Sequence, residues 1–233
     1  LVFFWSADGC PTRGADETPP VQQVAEEIFS ATGVQGGIVV HLGCGDGRLT
    51  AALRVSDAST VHGLERDPAL VKAAREHIAK LGLYGPVSVE HWTGSTLPYA
   101  DNLVNLIVVS DPSFVASEEL LRVLCPGGVV FSFHPSSFIP HPFRKPRPGT
   151  IDQWTHFLHD AGNNAVARDT EVGPPRCLQW VAPPLWLRSH ETPSGIEGLV
   201  SSASRIFYFL DEGLIGITDQ RLPERWSLVC RDA

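Results

Sequence analysis

The sequence predicts an α/β protein with a doubly wound parallel sheet that carries helices on both of its faces. Short apolar runs alternate with segments of helical periodicity along residues 20–134. The runs are apolar throughout, which is typical of strands that helices cover on both sides. A glycine-rich loop follows the first run, and ligands of such sheets bind beyond the carboxyl ends of the strands.

Periodicity and end signals predict four helices. In the first, apolar residues recur at i, i+3, i+4, i+7 and i+8 from Val21 to Phe29, after two prolines and before Gly33. The strongest covers 68–81, with a proline in its first turn and a glycine after its end. The other two are predicted at 48–55 and at 114–124, the latter stopped by a Pro-Gly-Gly run.

Five buried strands are predicted between these helices. The first is the apolar run that enters the glycine cluster, and the second ends at the acidic residue Glu65. The fourth is apolar at nearly every position, so that it belongs in the interior of the sheet. The predicted strands cover 38–42, 60–64, a segment that starts at 87–89, 105–110 and 129–133.

The glycine-rich loop is the first candidate for a binding site. It is the run Gly43-Cys44-Gly45-Asp46-Gly47, between the first strand and a helix. Glycines let the backbone turn sharply and approach a ligand, and the following helix offers free N–H groups. Glu65 follows about 20 residues later, as in nucleotide-binding loops where a carboxylate accepts hydrogen bonds from ribose hydroxyls. Arg48 stands where a dinucleotide loop would continue toward its third glycine, which disfavours a nicotinamide-dependent oxidoreductase.

Four segments, in order over residues 20–134, resemble the motifs of class I S-adenosylmethionine-dependent methyltransferases. The loop segment is HLGCGDGRLT, and the second strand with its helix is VHGLERDPALVKAAREHI. The third segment is GSTLPYADNLVNLIVVSD, and the fourth, before the fifth strand, is LRVLCPGGVVFSF. The resemblance implies a Rossmann-like domain at 19–134, S-adenosylmethionine as the cofactor and methyl transfer as the activity.

The resemblance also implies which residues hold the cofactor. The loop glycines would face its methionine part, Glu65 its ribose, and Gly94 and Ser95 would lie beside its adenine. The complete set that the resemblance implies is His41, Gly43, Cys44, Gly45, Gly47, Glu65, Arg66, Gly94, Ser95 and Thr96.

Three positions depart from the family pattern. His41 stands where the family usually has a carboxylate that orients the amino-acid end of the cofactor, and it carries no negative charge for the ammonium group. Ser95 replaces the aspartate that faces the adenine, and Asn105 replaces the aspartate that opens the fourth strand. The alternative is therefore a degenerate domain that no longer binds cofactor and acts as a binding or scaffold module.

Two residues are candidates for a base in the transfer step. Asp111 follows the fourth strand in Asp111-Pro112-Ser113-Phe114, which differs from the (N/D)PP(Y/F) motif of amine and nucleic-acid methyltransferases at Ser113. A turn in which Asp111 or Ser113 caps a helix is favoured over a catalytic role. His134 ends the fifth strand, where an ordinary histidine before a proline turn is likewise favoured.

The sequence after residue 134 predicts a different kind of structure. Residues 135–151 are rich in proline and predict an extended linker without clear sixth and seventh strands of the sheet. Strands with a turn are predicted at 206–210 and 226–230. Over 152–233 the sequence resembles the start of a pyrroloquinoline-quinone-type (PQQ-like) β-propeller, a fold that needs several four-stranded blades. The chain would then lack the remaining blades, which are expected partners.

One cluster in this region suggests a metal site. His156 and His159 are three residues apart, as on one face of a helix, and Asp160 follows. No third distant ligand is evident, and metal sites need converging ligands, so packing is favoured and no metal is predicted.

Composition limits the partners. The net charge is −8, most of it in residues 1–140, which argues against nucleic acid and favours a small molecule or a protein as methyl acceptor. No apolar run is long enough to span a membrane. Residues 1–18 resemble either the remnant of a secretory signal or a short strand, and the chain has no methionine, as expected of a fragment or a processed chain. An active methyltransferase would be cytoplasmic; a signal remnant would instead imply a periplasmic or secreted protein.

Overall fold

The structure, a computed structural model, describes residues 20–133, 142–171, 195–202, 205–213 and 223–232. The chain divides into two compact units, one ending at Lys145 and the other beginning at Pro146. Within the described residues, no helix has the length and apolar character needed to cross a membrane.

The first unit contains a mixed sheet of six strands with helices. Its strand order is β3-β2-β1-β4-β5-β6, in which the first five strands are parallel and β6 is antiparallel to β5. The helices are α1 (Val21–Thr32), α2 (Arg48–Ala52), α3 (Pro68–Lys80) and α4 (Ser117–Val123). The strands are β1 (Gly37–Leu42), β2 (Ser59–Glu65), β3 (Val87–His91), β4 (Val104–Val109), β5 (Leu124–Ser132) and β6 (Phe143–Arg144).

Apolar side chains cover both faces of this sheet. On one face Val39 and Val61 pack with the buried side of α3, including Ala74 and Ile78. On the other face the neighbouring strand residues, such as Val40, pack with the region of α4. Alternating strand residues therefore enter two separate cores, which confirms a sheet covered on both sides and is consistent with a Rossmann-like fold.

The helix ends follow the sequence signals. Gly33 adopts a left-handed conformation (φ 67°) after α1 and donates its N–H to the carbonyl of Phe29. Asp67 caps α3 by accepting the N–H of Ala69 at 2.8 Å, with Pro68 in the first turn.

The segment between α4 and β5 differs from the prediction. The sequence predicts a helix at 114–124 and a strand at 129–133, but the helix covers Ser117–Val123 and β5 begins directly at Leu124. The Pro-Gly-Gly run lies inside β5, where the pairing with β4 shifts register between Val104 and Leu106. The glycines were therefore wrongly predicted to separate two elements, because they mark an irregularity within one strand.

A short strand that the sequence did not predict lies in the proline-rich stretch. Phe143 and Arg144 form β6 beside Val130 and Val129 of β5. The Arg144 guanidinium donates to the carbonyls of Thr32, at the end of α1, and Gly127. The Lys145 ammonium donates to the carbonyls of Leu121 and Leu124 and to the Asn102 side chain. The linker predicted at 135–151 stays a prediction, since residues 134–141 lie outside the described residues.

The second unit contains a separate antiparallel sheet. Its strands are β7 (Ile196–Ser202), β8 (Arg205–Asp211) and β9 (Trp226–Asp232), in the order β7-β8-β9. The strands predicted at 206–210 and 226–230 are confirmed within β8 and β9. The signal remnant predicted at 1–18 lies outside the described residues.

Candidate functional site

The glycine-rich loop lies at the carboxyl edge of the parallel sheet. It leaves the end of β1, whose neighbours are β2 and β4. The N–H groups of Gly43 and Cys44 both donate to the carbonyl of Leu64 in β2, at 3.0 and 3.3 Å. The backbone of the loop is therefore held against the end of β2.

Glu65 fixes the centre of the loop. Its side chain is 8% exposed, and its Oε2 atom accepts the N–H of Gly45 at 2.8 Å. Its Oε1 atom accepts the N–H groups of Arg66 and Asp67, at 2.7 and 3.2 Å. An ionised carboxylate has about four acceptor positions, so three are filled and about one is left for a ligand hydroxyl.

The loop glycines have two different environments. A Cβ atom added at Gly43 would lie 3.0 Å from the Cβ of Asp111, and one added at Gly47 would lie 2.7 Å from the Cβ of Ala74 in α3. A Cβ added at Gly45 (φ 57°) would meet nothing within 4 Å. Gly43 and Gly47 thus allow close packing, while Gly45 borders open space where a ligand can approach.

His41 is enclosed by hydroxyl groups. Its side chain is 2% exposed, with Nδ1 at 2.8 Å from the Thr50 hydroxyl in α2 and Nε2 at 2.8 Å from the Ser110 hydroxyl after β4. Burial lowers the pKa of His41 to about 4, so the ring is neutral at pH 7. A neutral ring donates from one nitrogen and accepts at the other, and both are engaged within the protein.

Cys44, within the loop, has a thiol whose reactivity is suppressed by its environment. The residue is 4% exposed. Burial, and secondarily the negative charge of Glu65, raise the pKa of its thiol to about 12. The thiol is protonated at neutral pH and is a poor nucleophile.

Arg66 joins the end of β2 to the loop after β4. Its guanidinium lies 4.6 Å from the centre of the Phe114 ring and donates to the carbonyls of Ser113 and Phe114, at 3.3 and 2.6 Å. Trp92, directly after β3, stacks on Phe114 with a centroid separation of 5.3 Å. Three chain segments at the carboxyl edge are thereby connected by one stack.

The residues predicted beside the adenine come directly after Trp92, which belongs to this stack. Trp92 donates its N–H to the carbonyl of Glu65, and a Cβ atom added at Gly94 would lie 3.3 Å from the Trp92 indole. Gly94, Ser95 and Thr96 are exposed, in the segment that follows the strand next to β2. They lie at the same carboxyl edge of the sheet as the glycine loop, because β3 is parallel to β2 and β2 is parallel to β1.

Asp111 lies at the junction of β4 and the glycine loop. Its Oδ1 atom accepts the N–H and the hydroxyl of Ser113, at 2.9 and 2.7 Å. These bonds form an Asp-Pro turn, but the prediction that Asp111 or Ser113 caps a helix is wrong, because α4 begins at Ser117 with Ala116 at its N-cap. His134, the other candidate base, lies outside the described residues.

The two histidines of the second unit, His156 and His159, do not lie on one face of a helix. Residues 156–159 form no helix, because His159 has a positive φ of 71° and its carbonyl accepts the N–H of His156 at 3.0 Å. The Nδ1 atom of His159 lies 3.5 Å from Asp160. In the described ranges of the chain, no group of three or more His, Cys, Asp or Glu residues is arranged to hold a metal ion.

Asp152 fixes this segment. Its Oδ2 atom accepts Nε2 of His159 and the N–H of Arg168, both at 2.7 Å, and its Oδ1 atom accepts the N–H of Gln153. These hydrogen bonds lower the pKa of Asp152 to about 2, and the bond from the Arg168 N–H has the largest effect. A ligand site is not needed to explain the two histidines, since each contact fixes a turn.

Residues 39–128 match the model of a protein family described as a methyltransferase domain. The matched part includes the glycine loop, Glu65 and the segments after β3 and β4. This part of the chain is therefore similar to a methyltransferase domain, which supports S-adenosylmethionine as its cofactor.

Solved structures that are similar to part of the chain include two methyltransferases. An S-adenosylmethionine-dependent methyltransferase from Aquifex aeolicus is 24% identical, with a TM-score of 0.40, over 46% of this chain and 62% of that one. A geranyl diphosphate C-methyltransferase from Streptomyces coelicolor is 19% identical, with a TM-score of 0.43, over 47% and 44% of the two chains. The chain thus spans about half the length of these structures. No curated protein matches it.

Sequence reasoning missed the hydroxyl partners of His41 and the aromatic stack. Thr50 and Ser110 carry no motif of their own, and Ser110 is 69 residues from His41 in sequence. Trp92 and Phe114 were visible only as apolar residues near strand ends. A polar residue such as His41 in an otherwise apolar strand was the one available signal that partners must exist.

Proposed function

We propose that the first unit catalyses methyl transfer from S-adenosylmethionine to a small molecule or a protein. The observation that carries the proposal is the glycine loop fastened through Gly45 to Glu65 at the carboxyl edge of the sheet, within the segment that matches a methyltransferase domain. This edge is where doubly wound sheets bind nucleotide ligands.

The described residues fit such a cofactor. The open space at Gly45 admits a ligand against the loop backbone, and the remaining acceptor position of Glu65 suits a ribose hydroxyl. Gly94, Ser95 and Thr96 offer an exposed edge for the adenine, next to the stack of Arg66 and Phe114. The cofactor itself supplies an activated methyl group on a sulfonium, so that the protein contributes mainly binding and orientation.

The acceptor class follows from charge. A net charge of −8 repels a polyanion, which favours a small molecule or a protein over nucleic acid. Asp111 and His134 remain the candidates for a base, Asp111 being held in its turn by Ser113. A cytoplasmic location goes with this function, because S-adenosylmethionine is made there.

A second candidate function is a non-catalytic binding module joined to a PQQ-like propeller, in a periplasmic or secreted protein. Its support is the enclosure of His41, which leaves no carboxylate at the position where the family holds the cofactor's ammonium group. The antiparallel sheet β7-β8-β9 is compatible with part of a four-stranded blade.

Calorimetry with S-adenosylmethionine and S-adenosylhomocysteine tests the proposal. The full chain is compared with Gly45→Ala and with the matched control Gly82→Ala. Both glycines have a positive φ, 57° and 69°, and open space at the Cβ position, so each substitution has a similar backbone cost of roughly 1–2 kcal/mol.

We expect binding by the unmodified chain and by Gly82→Ala, and a loss of about tenfold or more in Gly45→Ala, whose methyl group enters the ligand space. If the unmodified chain gives no heat at millimolar ligand, the methyl-transfer proposal is wrong and the binding module is favoured. If both variants weaken binding equally, the loop is not the site.

A further inference from the structure

Residues 94–96, which the proposed function places beside the adenine, form a short exposed run between two anchored residues. Before the run, Trp92 donates its N–H to the carbonyl of Glu65 at 2.9 Å and stacks on Phe114. After the run, the Leu97 side chain is 2% exposed and packs in the apolar core beneath α4. The position of the run therefore depends also on what fixes the backbone at Leu97.

Glu119 and Arg122, one turn apart in α4, hold both backbone groups of Leu97. The Oε1 atom of Glu119 accepts the Leu97 N–H at 2.6 Å, and the Arg122 guanidinium donates to the Leu97 carbonyl at 3.1 Å. The same guanidinium donates to the carbonyl of Tyr99 at 2.9 Å. Two side chains of one helix thus fix three backbone groups of the segment that continues from the run.

These two side chains also fix each other. Nε of Arg122 donates to Oε2 of Glu119 at 2.9 Å, and Nη2 donates to Oε1 at 2.6 Å. The side chains are 28% and 15% exposed, so the pair is partly shielded from solvent. The hydrogen bond from Arg122 lowers the pKa of the Glu119 carboxyl, which is therefore ionised at neutral pH. A two-bonded pair of this kind allows little rotation of either group, so the bonds to the backbone have one geometry.

Asp101 is the third charged member of this network, and it holds a different group. Its side chain is 70% exposed, and its Oδ1 atom accepts a hydrogen bond from the Arg122 guanidinium at 2.6 Å. Removing this carboxylate takes one ionic partner from Arg122 and leaves the bonds to Leu97 in place. Asp101 is therefore the matched control for the other two residues.

We propose that Glu119 and Arg122 are positioning residues for the adenine, which fix the backbone at Leu97 and thereby hold residues 94–96 where the base binds. This inference rests on the proposed function, because it concerns the same cofactor site. Each of the two side chains acts through the backbone of the segment.

The test compares S-adenosylhomocysteine with S-ribosylhomocysteine, which lacks the adenine. Their dissociation constants are measured by titrations that follow the ligand signals in NMR, on the full chain, on Glu119→Ala, on Arg122→Lys and on the control Asp101→Ala. The ratio of the two constants measures what the adenine contributes to binding. A general loss of stability lowers both affinities alike and leaves this ratio unchanged, whereas a displaced run weakens only the ligand that carries the base.

Arg122→Lys provides a second reading that does not depend on Glu119→Ala. Lysine keeps the positive charge beside Glu119 but has no planar fork with which to bond the carbonyls and the carboxylate together. Thermal unfolding shows which variants keep the fold, and the ratio is read on those that do.

We expect the unmodified chain to prefer S-adenosylhomocysteine by about tenfold or more, the range for burying a purine ring. Glu119→Ala and Arg122→Lys should reduce this preference to about threefold or less with S-ribosylhomocysteine bound as before, while Asp101→Ala should retain it. The inference is overturned if a folded variant at Glu119 or Arg122 retains the preference, if Asp101→Ala removes it, or if the unmodified chain binds both ligands equally. Absence of S-adenosylhomocysteine binding to the unmodified chain would instead refute the proposed function, and the inference with it.

Discussion

His41 makes the stability of the first unit depend on pH in a predictable direction. Its pKa is about 4 in the folded chain and 6.5 for an ordinary histidine. Between these values the unfolded chain binds a proton that the folded chain does not, so acid favours unfolding. From these two pKa values, lowering the pH from 7 to 5 costs about 2 kcal/mol of folding free energy at this one residue.

The variant His41→Gln removes the titration. Glutamine is neutral over the whole range, so the variant is expected to lose about 2 kcal/mol less than the unmodified chain between pH 7 and pH 5, although it is less stable at both. The lowered pKa of His62 contributes equally to both proteins and cancels in the comparison.

Urea unfolding followed by far-ultraviolet circular dichroism measures this difference. Every helix in the described residues lies between Val21 and Val123, so loss of the helical signal reports on the first unit. If the two proteins lose equal free energy between the two pH values, the ring of His41 accepts its proton in the folded chain, and the enclosure by two hydroxyl groups does not have the assigned effect.

Two further perturbations test local contacts. Gly47→Ala places a methyl group 2.7 Å from the Cβ of Ala74 at a left-handed φ, so it is expected to cost about 3 kcal/mol in urea unfolding, against roughly 1–2 kcal/mol for Gly82→Ala, which meets no neighbour; equal costs would contradict the packing role of Gly47. Asp152→Ala removes the acceptor of the Arg168 N–H, so exchange of that amide with solvent should accelerate about fivefold or more while amides of β8 stay unchanged, and an unaltered rate at Arg168 would show that the turn does not depend on Asp152.

Local sequence signals predicted most of the first unit. Asp67 and Pro68 start α3 through a side-chain cap and a fixed φ, which are properties of neighbouring residues. The glycine loop and Glu65 were likewise recognisable, because sharp turns at strand ends require particular residue types. Element types were therefore predictable wherever the cause lies within a few residues.

Contacts between distant residues were not predictable in the same way. The two-residue strand β6 exists because Phe143 and Arg144 meet the edge of β5, and no periodicity can reveal so short an element. The same holds for the candidate site. The sequence shows which residue types stand at His41 and Asp111. The enclosure of His41 and the placement of Asp111 beside Gly43 depend on strand pairing, which the sequence does not show.

Arg144 and Lys145 have a consequence for how the first unit can be separated from its chain. Their side chains donate hydrogen bonds to carbonyl groups at the ends of α1 and α4, and β6 covers the edge of β5. A boundary drawn at residue 134, where the motifs end, would remove this cover and leave an open strand edge that can pair with other molecules. The first compact unit accordingly ends at Lys145, eleven residues beyond the recognisable motifs.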